Sequence, residues 1–314
     1  MRIRKLFRAV LLCFGVGNAA SGFFAQTADA PKQAAPAGTD YSKEETGAVT
    51  PPLARQDSGL RAELIQRPDS ADLLYSLAFV QRLEGKARES LETYTRAASR
   101  RKPTAEELRS VAMDYVMLND YSDAIRWLEI AVQMDPRDAE VMYALGRCYY
   151  SQNRYVDAGK MFQQVLAIQP RHLKAQENLG LAYDATNRPD MAEDALRKAA
   201  SWASPGGPDE WPFLDLGSFL LDQNRAKEAI EPLRVAAHIR QDCAACHEKL
   251  GRALITIQET ANGLAELEQA TRLDPRNPKT HYEFGLALRQ AGQTDRAHEE
   301  LALSQKLYST HSQE

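Results

Sequence analysis

A pattern of small and apolar residues recurs every 34 residues along most of this chain of 314 residues. One copy of the pattern contains Leu145, Gly146, Tyr149, Ala158 and Phe162. The residues found 34 positions later are Leu179, Gly180, Tyr183, Ala192 and Leu196. A fixed period of this length is the signature of a fold built by stacking similar units, so it constrains the architecture more strongly than chain length does.

Leu-Gly, Tyr, Ala, Phe and Pro at these offsets resemble the tetratricopeptide repeat, a helix-turn-helix unit. Seven copies in register begin at Ala71, Ala105, Ala139, Leu173, Glu210, Ala244 and Pro278. One insertion of three residues, 207–209, falls in a loop rich in proline and glycine. The resemblance implies an all-α fold, a right-handed α-solenoid of helix-turn-helix repeats, which serves as a binding scaffold and not as an enzyme.

The eighth position of every repeat is glycine or alanine and falls in the middle of the first helix. These residues are Ala78, Ala112, Gly146, Gly180, Gly217, Gly251 and Gly285. Glycine inside a helix costs about 1 kcal/mol relative to alanine, so its use here indicates a close contact between two helices. We expect the facing residues to be the small ones at the twentieth position: Ser90, Ala124, Ala158, Ala192, Ala229, Gly263 and Ala297.

A glycine or asparagine marks the turn between the two helices of almost every repeat. These residues are Gly85, Asn119, Asn153, Asn187, Asn224 and Gly292. Both types adopt the left-handed conformation that ends a helix, whereas Gln258, at this place in the sixth repeat, breaks the pattern.

The first 25 residues have the organisation of a secretory signal peptide, with a basic start through Arg8 and an apolar core at residues 9–16. We place the cleavage site between residues 21 and 30. Residues 26–52 are expected to be a disordered linker, and residues 53–314 the solenoid, with a lone helix before residue 68 that caps the first repeat. We therefore predict an exported protein, periplasmic or secreted. The alternative is an uncleaved N-terminal membrane anchor, for which the apolar core is short.

The charge of the chain argues against nucleic acid as a partner. The formal net charge is -4, and it is more negative still once the basic N-terminal residues are removed. Binding to phosphate groups relies on a basic surface, so we expect a protein or peptide partner. Membrane association is expected only if the N-terminal segment stays uncleaved, and the oligomeric state remains open.

The resemblance also suggests where a partner binds, because the first helices of this family line the inner face of the solenoid. On this chain the corresponding positions hold Tyr75, Phe79, Arg109, Met113, Tyr143, Arg147, Tyr150, Lys174, Glu177, Trp211, Arg252, Tyr282 and Arg289. Several are aromatic or arginine, types that are enriched among residues that carry binding energy. We expect about half of the rings to pack against the next repeat instead.

The ligand expected in this groove is an extended or helical peptide. Some members of the family hold a C-terminal carboxylate with a lysine at the fifth position and an asparagine at the ninth. This chain has Tyr75 and Phe79, then Arg109 and Met113, at those places, so the carboxylate clamp is not supported.

Cys243, Cys246 and His247 form a Cys-Ala-Ala-Cys-His motif of the kind that attaches haem c. An electron-transfer protein with a covalent haem is therefore the alternative to the scaffold. Against it, His281 occupies the place of His247 in the next repeat, which has no cysteines. A disulfide, two free thiols and, with His238, a zinc site are the other interpretations; we favour the disulfide or the thiols, and no cofactor.

The sequence nominates no catalytic residue and no metal ligand, because it contains no nucleophile elbow, phosphate-binding loop or HExxH helix. The function we predict is that of a non-catalytic scaffold or adaptor. It binds a partner protein or peptide in the bacterial periplasm or cell envelope.

Overall fold

The computed structural model describes residues 51–204 and 206–311, which form fifteen helices and no strand. This confirms the all-α prediction for that part of the chain. The predicted signal peptide and most of the predicted linker lie outside the described residues. The chain divides into two compact units, one ending at Pro170 and the other beginning at Arg171.

The first unit contains α1 (Pro51–Gln66), α2 (Ala71–Leu83), α3 (Ala87–Ala98), α4 (Ala105–Met117), α5 (Tyr121–Met134), α6 (Ala139–Ser151) and α7 (Tyr155–Ile168). The second unit contains α8 (Leu173–Ala185), α9 (Pro189–Trp202), α10 (Trp211–Asp222), α11 (Ala226–Ile239), α12 (Ala244–Thr256), α13 (Thr260–Leu273), α14 (Pro278–Gln290) and α15 (Thr294–His311). From α2 onward, the even-numbered helices are the first helices of the repeats.

A side chain at one recurring position caps most of the first helices. The first turn of a helix leaves N–H groups without a partner inside the helix. Among the described repeats, the residues that accept a hydrogen bond from one of these groups are Ser70, Thr104, Asp138, His172, Cys243 and Asn277. Helix α10 differs, because its N-cap Glu210 makes no side-chain cap and Pro212 lies in the first turn, while Oδ1 of Asp209 accepts from the N–H of Trp211 at 3.3 Å.

The turn between the helices of each repeat contains one residue in the left-handed conformation, as predicted. The four asparagines have φ angles between 56° and 59°, and Gly85 and Gly292 have 80° and 77°. Gln258 has a φ of 69°, so it adopts the same conformation although its side chain disfavours it. The position, rather than the residue type, therefore sets the turn.

The glycines of the eighth position make room for a large side chain of the second helix, a contact that the sequence analysis did not predict. A Cβ atom at Gly146 would lie 2.7 Å from the Phe162 ring, and one at Gly180 would lie 2.7 Å from Cγ of Leu196. Both partners lie four residues after the small residues that we expected to face the glycines. A Cβ atom at Gly251 would also meet the twentieth position, at 2.9 Å from the carbonyl oxygen of Gly263. The small residue at the twentieth position and the large side chain four residues later therefore both contribute to the contact between the two helices of a repeat.

Within each unit, consecutive first helices contact one another. In the first unit the contacts join α2 to α4 and α4 to α6, while α1 packs on α2. In the second unit they join α8 to α10, α10 to α12 and α12 to α14. The first helices of a unit thus lie side by side and form one surface, which we name the first-helix face of that unit.

None of the helices in the described ranges has both the length and the apolar character that a membrane crossing requires.

Candidate functional site

The first-helix face of the first unit contains a cavity of about 600 Å³ between α1, α2 and α4. Helix α1 contributes Gln56, Gly59, Leu60 and Glu63; helix α2 contributes Tyr75, Ser76, Phe79 and Val80; helix α4 contributes Glu106, Glu107 and Ser110; and Tyr94 comes from α3. The volume falls within the range of sites that bind small molecules or single side chains.

Phe79 is the accessible aromatic residue of this cavity. Its side chain is 39% exposed, whereas Tyr75 and Tyr94 are buried. The guanidinium carbon of Arg82 lies 5.0 Å from the centre of the Phe79 ring, which gives the ring a cation–π neighbour. The ring is therefore held in place while one part of it remains open to a ligand.

A network of hydrogen bonds fixes the position of Tyr75 beside the cavity. Its hydroxyl donates to the carbonyl oxygen of Arg101 at 2.7 Å, and the Arg101 guanidinium lies over the ring at 4.4 Å. Arg101 also donates to both carboxylate oxygens of Glu107, at 2.6 and 3.2 Å. Glu107 in turn accepts from the backbone N–H of Thr104, which closes the capping box of α4. Because α2 and α4 are joined in this way, this wall of the cavity is preorganised.

Asp114 lies fully buried in the same pair of repeats. Its Oδ2 is 2.7 Å from Oγ of Ser90, and that Oγ is 2.8 Å from the carbonyl oxygen of Ala78. The Ser90 hydroxyl therefore lies within donating distance of two acceptors, the Asp114 carboxyl group and the Ala78 carbonyl oxygen, and its single proton serves one of them at a time. Burial raises the pKa of Asp114 to about 8, although the hydrogen bond with Ser90 and the charge of Arg82 oppose this rise.

A second aromatic group lies on α6 and α7. The ring of Tyr143 packs against Phe162 with centroids 5.9 Å apart, and the Arg147 guanidinium lies 5.8 Å from the Tyr143 ring. Tyr150 meets Tyr155 edge to face at 5.0 Å. Tyr143 is thus part of the packing of its own repeat, while Arg147 and Tyr150 are partly exposed.

On the first-helix face of the second unit, a side-chain hydrogen bond joins Glu177 of α8 to Asp215 of α10. Burial raises the pKa of Glu177 well above its usual value, and the nearby carboxylates of Asp215 and Asp209 raise it further. Removal from water also raises the pKa of Asp215 to about 7, and the hydrogen bond with Glu177 opposes this rise. Because both pKa values are raised by burial, the pair is most stable while one of the two carboxyl groups is neutral.

Charged groups join α12 to α14 on the same face. The buried Glu248 accepts from Nζ of Lys279 at 3.0 Å and from the hydroxyl of Thr280 at 3.1 Å. Arg252 donates to Asp222 at 3.1 Å. The predicted contact residue Arg252 is therefore part of an ion-pair network within this unit.

The predicted groove residues divide into three groups by exposure. The exposed side chains are Phe79, Lys174, Tyr282 and Arg289. The partly exposed ones are Arg109, Arg147, Tyr150, Trp211 and Arg252. The buried ones are Tyr75, Met113, Tyr143 and Glu177. The buried residues contribute to packing and cannot meet a partner directly, whereas the others can.

The structure forms a disulfide between Cys243 and Cys246, whose Cα atoms are 5.3 Å apart. His247 lies between two acceptors, with Nδ1 at 2.6 Å from Glu266 and Nε2 at 3.1 Å from the carbonyl oxygen of Gln241. The hydrogen bond to Glu266 raises the pKa of His247. His281 has the equivalent contacts, at 2.6 Å to Glu300 and 3.1 Å to the carbonyl oxygen of Pro275. His247 thus makes the same structural contacts as His281, as their equivalent positions in neighbouring repeats indicated.

The haem alternative does not fit these residues. Attachment of haem c consumes two thiols, which the disulfide occupies, and it requires a ring nitrogen of His247 that is free to bind iron. Both nitrogens of His247 are hydrogen-bonded, and Cys246 is fully buried. The zinc interpretation gains no support either, since the described residues contain no cluster of three His, Cys, Asp or Glu side chains arranged for a metal ion.

Two features of these faces were missed at the sequence level. Asp114 occupies the tenth position of its repeat, where the other repeats place Val80, Cys148, Ala182, Phe219, Ala253 and Ala287. An acidic residue at a position that is otherwise apolar is a sequence signal of a buried acid. The contribution of α1 to the cavity has no such signal, because α1 stands outside the repeats.

Comparison with known proteins supports the repeat assignment. A family model described as tetratricopeptide repeat matches residues 112–171 and 248–310, and a second model of the same description matches residues 173–205. No curated protein matches the sequence.

Several solved structures share the fold at low identity. The crystal structure of the APC/C hetero-tetramer Cut9–Hcn1 matches at 15% identity and a TM-score of 0.61, covering 81% of this chain and 50% of that chain. This chain therefore spans half the length of that relative. PilF of Pseudomonas aeruginosa matches at 18% identity and a TM-score of 0.58, covering 73% of this chain and 99% of its own. A tetratricopeptide repeat protein of Parabacteroides merdae matches at 18% identity and a TM-score of 0.58, covering 81% and 92%.

The fifteen described helices, the left-handed turn residues and the matching family models agree with one another. The chain belongs to the tetratricopeptide repeat family.

Proposed function

We propose that this protein is a non-catalytic scaffold that binds an extended segment of a partner protein on the first-helix face of its first unit. The observation that carries the proposal is the cavity between α1, α2 and α4, in which the exposed part of Phe79 lies beside preorganised walls. A cavity of about 600 Å³ accepts one or two apolar side chains of a peptide. Such a peptide runs along the helices and places an apolar anchor next to Phe79.

The flanking residues favour a peptide that also carries charge. Glu106 of α4 and Glu63 of α1 line the cavity, and Arg109 is partly exposed one turn beyond Glu106. Charges at the rim of an interface steer association and select partners more than they add affinity. The apolar anchor therefore supplies most of the binding free energy, and the rim selects the sequence around it.

Peptide display against the full chain tests this proposal. We expect the wild-type protein to enrich peptides that share an apolar anchor, and Phe79→Ala to weaken their binding at least tenfold, because the variant removes the accessible ring of the cavity. Met191→Ala is the matched control, since Met191 is 44% exposed on α9, a second helix. Binding should change less than twofold in this control. Equal losses in both variants, or no enrichment over an unrelated protein, would contradict the proposal.

We further propose that the protein acts in the bacterial periplasm or cell envelope. Support comes from the basic start, apolar core and small residues of the first 25 positions. Residues 1–30 fused to a reporter that is active only after export provide the test. Reporter activity together with a shortened soluble protein supports cleavage and release, activity that remains in the membrane fraction indicates the anchored form, and an inactive reporter rejects export.

A further inference from the structure

The Cys243–Cys246 pair occupies two positions at which the other repeats need no sulfur. Cys243 caps α12, where equivalent caps are Ser70, Thr104, Asp138 and Asn277. Cys246 lies three residues later and is fully buried, as is Thr280 at that position in the last repeat. The same helix start therefore forms in other repeats without a disulfide. A bridge that closes so short a loop also constrains the unfolded chain less than a bridge across a long one.

The two sulfur atoms differ in the way that thiol–disulfide exchange requires. Cys243 is partly exposed, whereas Cys246 has no exposed surface. The backbone N–H of Cys246 lies 3.1 Å from Sγ of Cys243 and points toward it from the first turn of a helix of 13 residues. An N–H group at a helix start stabilises negative charge, so it favours Cys243 as a thiolate. Cys243 is thus the residue of the pair that a partner can reach, and Cys246 is the one whose sulfur leaves when Cys243 is attacked.

We propose that Cys243 and Cys246 form a thiol–disulfide exchange site that accepts two electrons from a dithiol of a partner protein. A thiolate of the partner attacks Sγ of Cys243, forming a partner–Cys243 disulfide and releasing Cys246 as a thiolate, which takes up a proton. The second thiolate of the partner then attacks the partner sulfur of the mixed disulfide. Cys243 leaves as a thiolate capped by the N–H of Cys246, and the partner is left with a disulfide.

The overall reaction balances without a further oxidant. The partner loses two electrons and two thiol protons, and the Cys243–Cys246 bond is reduced to two thiols. Return to the oxidised form requires a disulfide donor that runs the same steps in reverse. This site lies at the start of α12, outside the cavity that carries the proposed scaffold function, so the two proposals can fail independently.

Single cysteine variants of the full chain test the proposal directly. In Cys246→Ser only Cys243 of the pair remains, and in Cys243→Ser only Cys246 remains. Serine suits both positions. Ser70 already caps α2, and the buried hydroxyl of Thr280 already occupies the position of Cys246 in the last repeat. Each variant is incubated with oxidised glutathione, and adducts are located by peptide mass spectrometry.

We expect glutathione to couple to Cys243 at least tenfold faster than to Cys246, with the buried Cys148 as an internal control in both proteins. Equal coupling of Cys243 and Cys246, or coupling no faster than that of Cys148, would overturn the proposal.

A measurement on the wild-type protein covers the case in which a variant misfolds. The oxidised chain is mixed with a synthetic peptide that contains two cysteines, and the reaction is quenched by alkylation. The proposal predicts one peptide disulfide formed for each Cys243–Cys246 pair that becomes alkylated, while the helical signal in circular dichroism stays unchanged. A bond that opens only after the protein has unfolded would identify it as a structural staple and reject exchange.

Discussion

Asp114 is a buried acid that lies within hydrogen-bonding distance of a single side-chain oxygen, that of Ser90. Its raised pKa means that the folded state binds a proton more strongly than the unfolded state does. Because folding raises the pKa of this acid, Asp114 contributes most to the free energy of unfolding below its unfolded pKa of about 4. That contribution is lost as pH rises toward the folded pKa of about 8.

Asp114→Asn should remove this pH dependence, because the amide donates to Ser90 without titrating. We expect the wild-type free energy of unfolding to fall, relative to the variant, by up to about 1.4 kcal/mol per pH unit between pH 5 and 7. Urea unfolding at several pH values measures it. Asp190→Asn, at an exposed position of α9, is the matched control. Parallel profiles for wild type and Asp114→Asn would show that Asp114 is ionised in the folded protein.

Gln258 carries backbone strain that the other turns avoid. Its φ of 69° is costly for a side chain with a Cβ atom, whereas Gly292 has 77° at the equivalent turn without that cost. Gln258→Gly should therefore stabilise the protein by roughly 0.5–1 kcal/mol, and the reciprocal Gly292→Gln should destabilise it. Thermal unfolding of both variants provides the comparison. A lower melting temperature for Gln258→Gly would mean that the glutamine side chain makes a compensating contact.

At the scale of helices, the pairing of α8 with α9 depends on the absence of a side chain at Gly180. An added Cβ would meet Leu196 at 2.7 and 2.8 Å and its backbone nitrogen at 3.3 Å. Gly59 of α1 is the matched control, because a Cβ there would meet nothing within 4 Å. Both changes to alanine gain about 1 kcal/mol of helix propensity, so their difference isolates the clash.

We expect Gly180→Ala to be less stable than Gly59→Ala by roughly 1–3 kcal/mol, measured by chemical unfolding. Equal stability would show that Leu196 moves aside without loss, and the close contact would then not explain the glycine.

The helices and turns were predictable from the sequence because their determinants are local. The residue before α2, α4 or α6 is a serine, threonine or aspartate that caps the helix, and asparagine ends most first helices. The contact between Gly180 and Leu196 was not predicted, because it depends on how two helices cross and not on the spacing of residues along one helix. The cavity beside Phe79 was missed for the same reason: one of its walls is α1, a helix outside the repeats that packs on α2.

At the scale of the whole molecule, each repeat contacts its neighbours in sequence within its own unit. Stability in such a protein is approximately a sum over units and the interfaces between neighbours. The predicted groove residues illustrate the limit of this view, since at the fifth position of the repeat Tyr282 is exposed while Tyr75 and Glu177 are buried. The repeat fixes where a residue lies, and its neighbours decide whether it is available to a partner.

Removal of one whole repeat is the most direct test of this claim. Deleting residues 210–243 takes out α10 and α11 and joins Asp209, a suitable helix cap, to the start of α12. The shorter deletion of residues 217–243 instead fuses half of α10 to α12 without a turn. Circular dichroism with urea unfolding should show that the whole-repeat deletion keeps the helical content per residue and unfolds cooperatively, whereas the shorter deletion loses both. Equal disruption by the two deletions would contradict the claim that the repeat is the unit from which this fold is built.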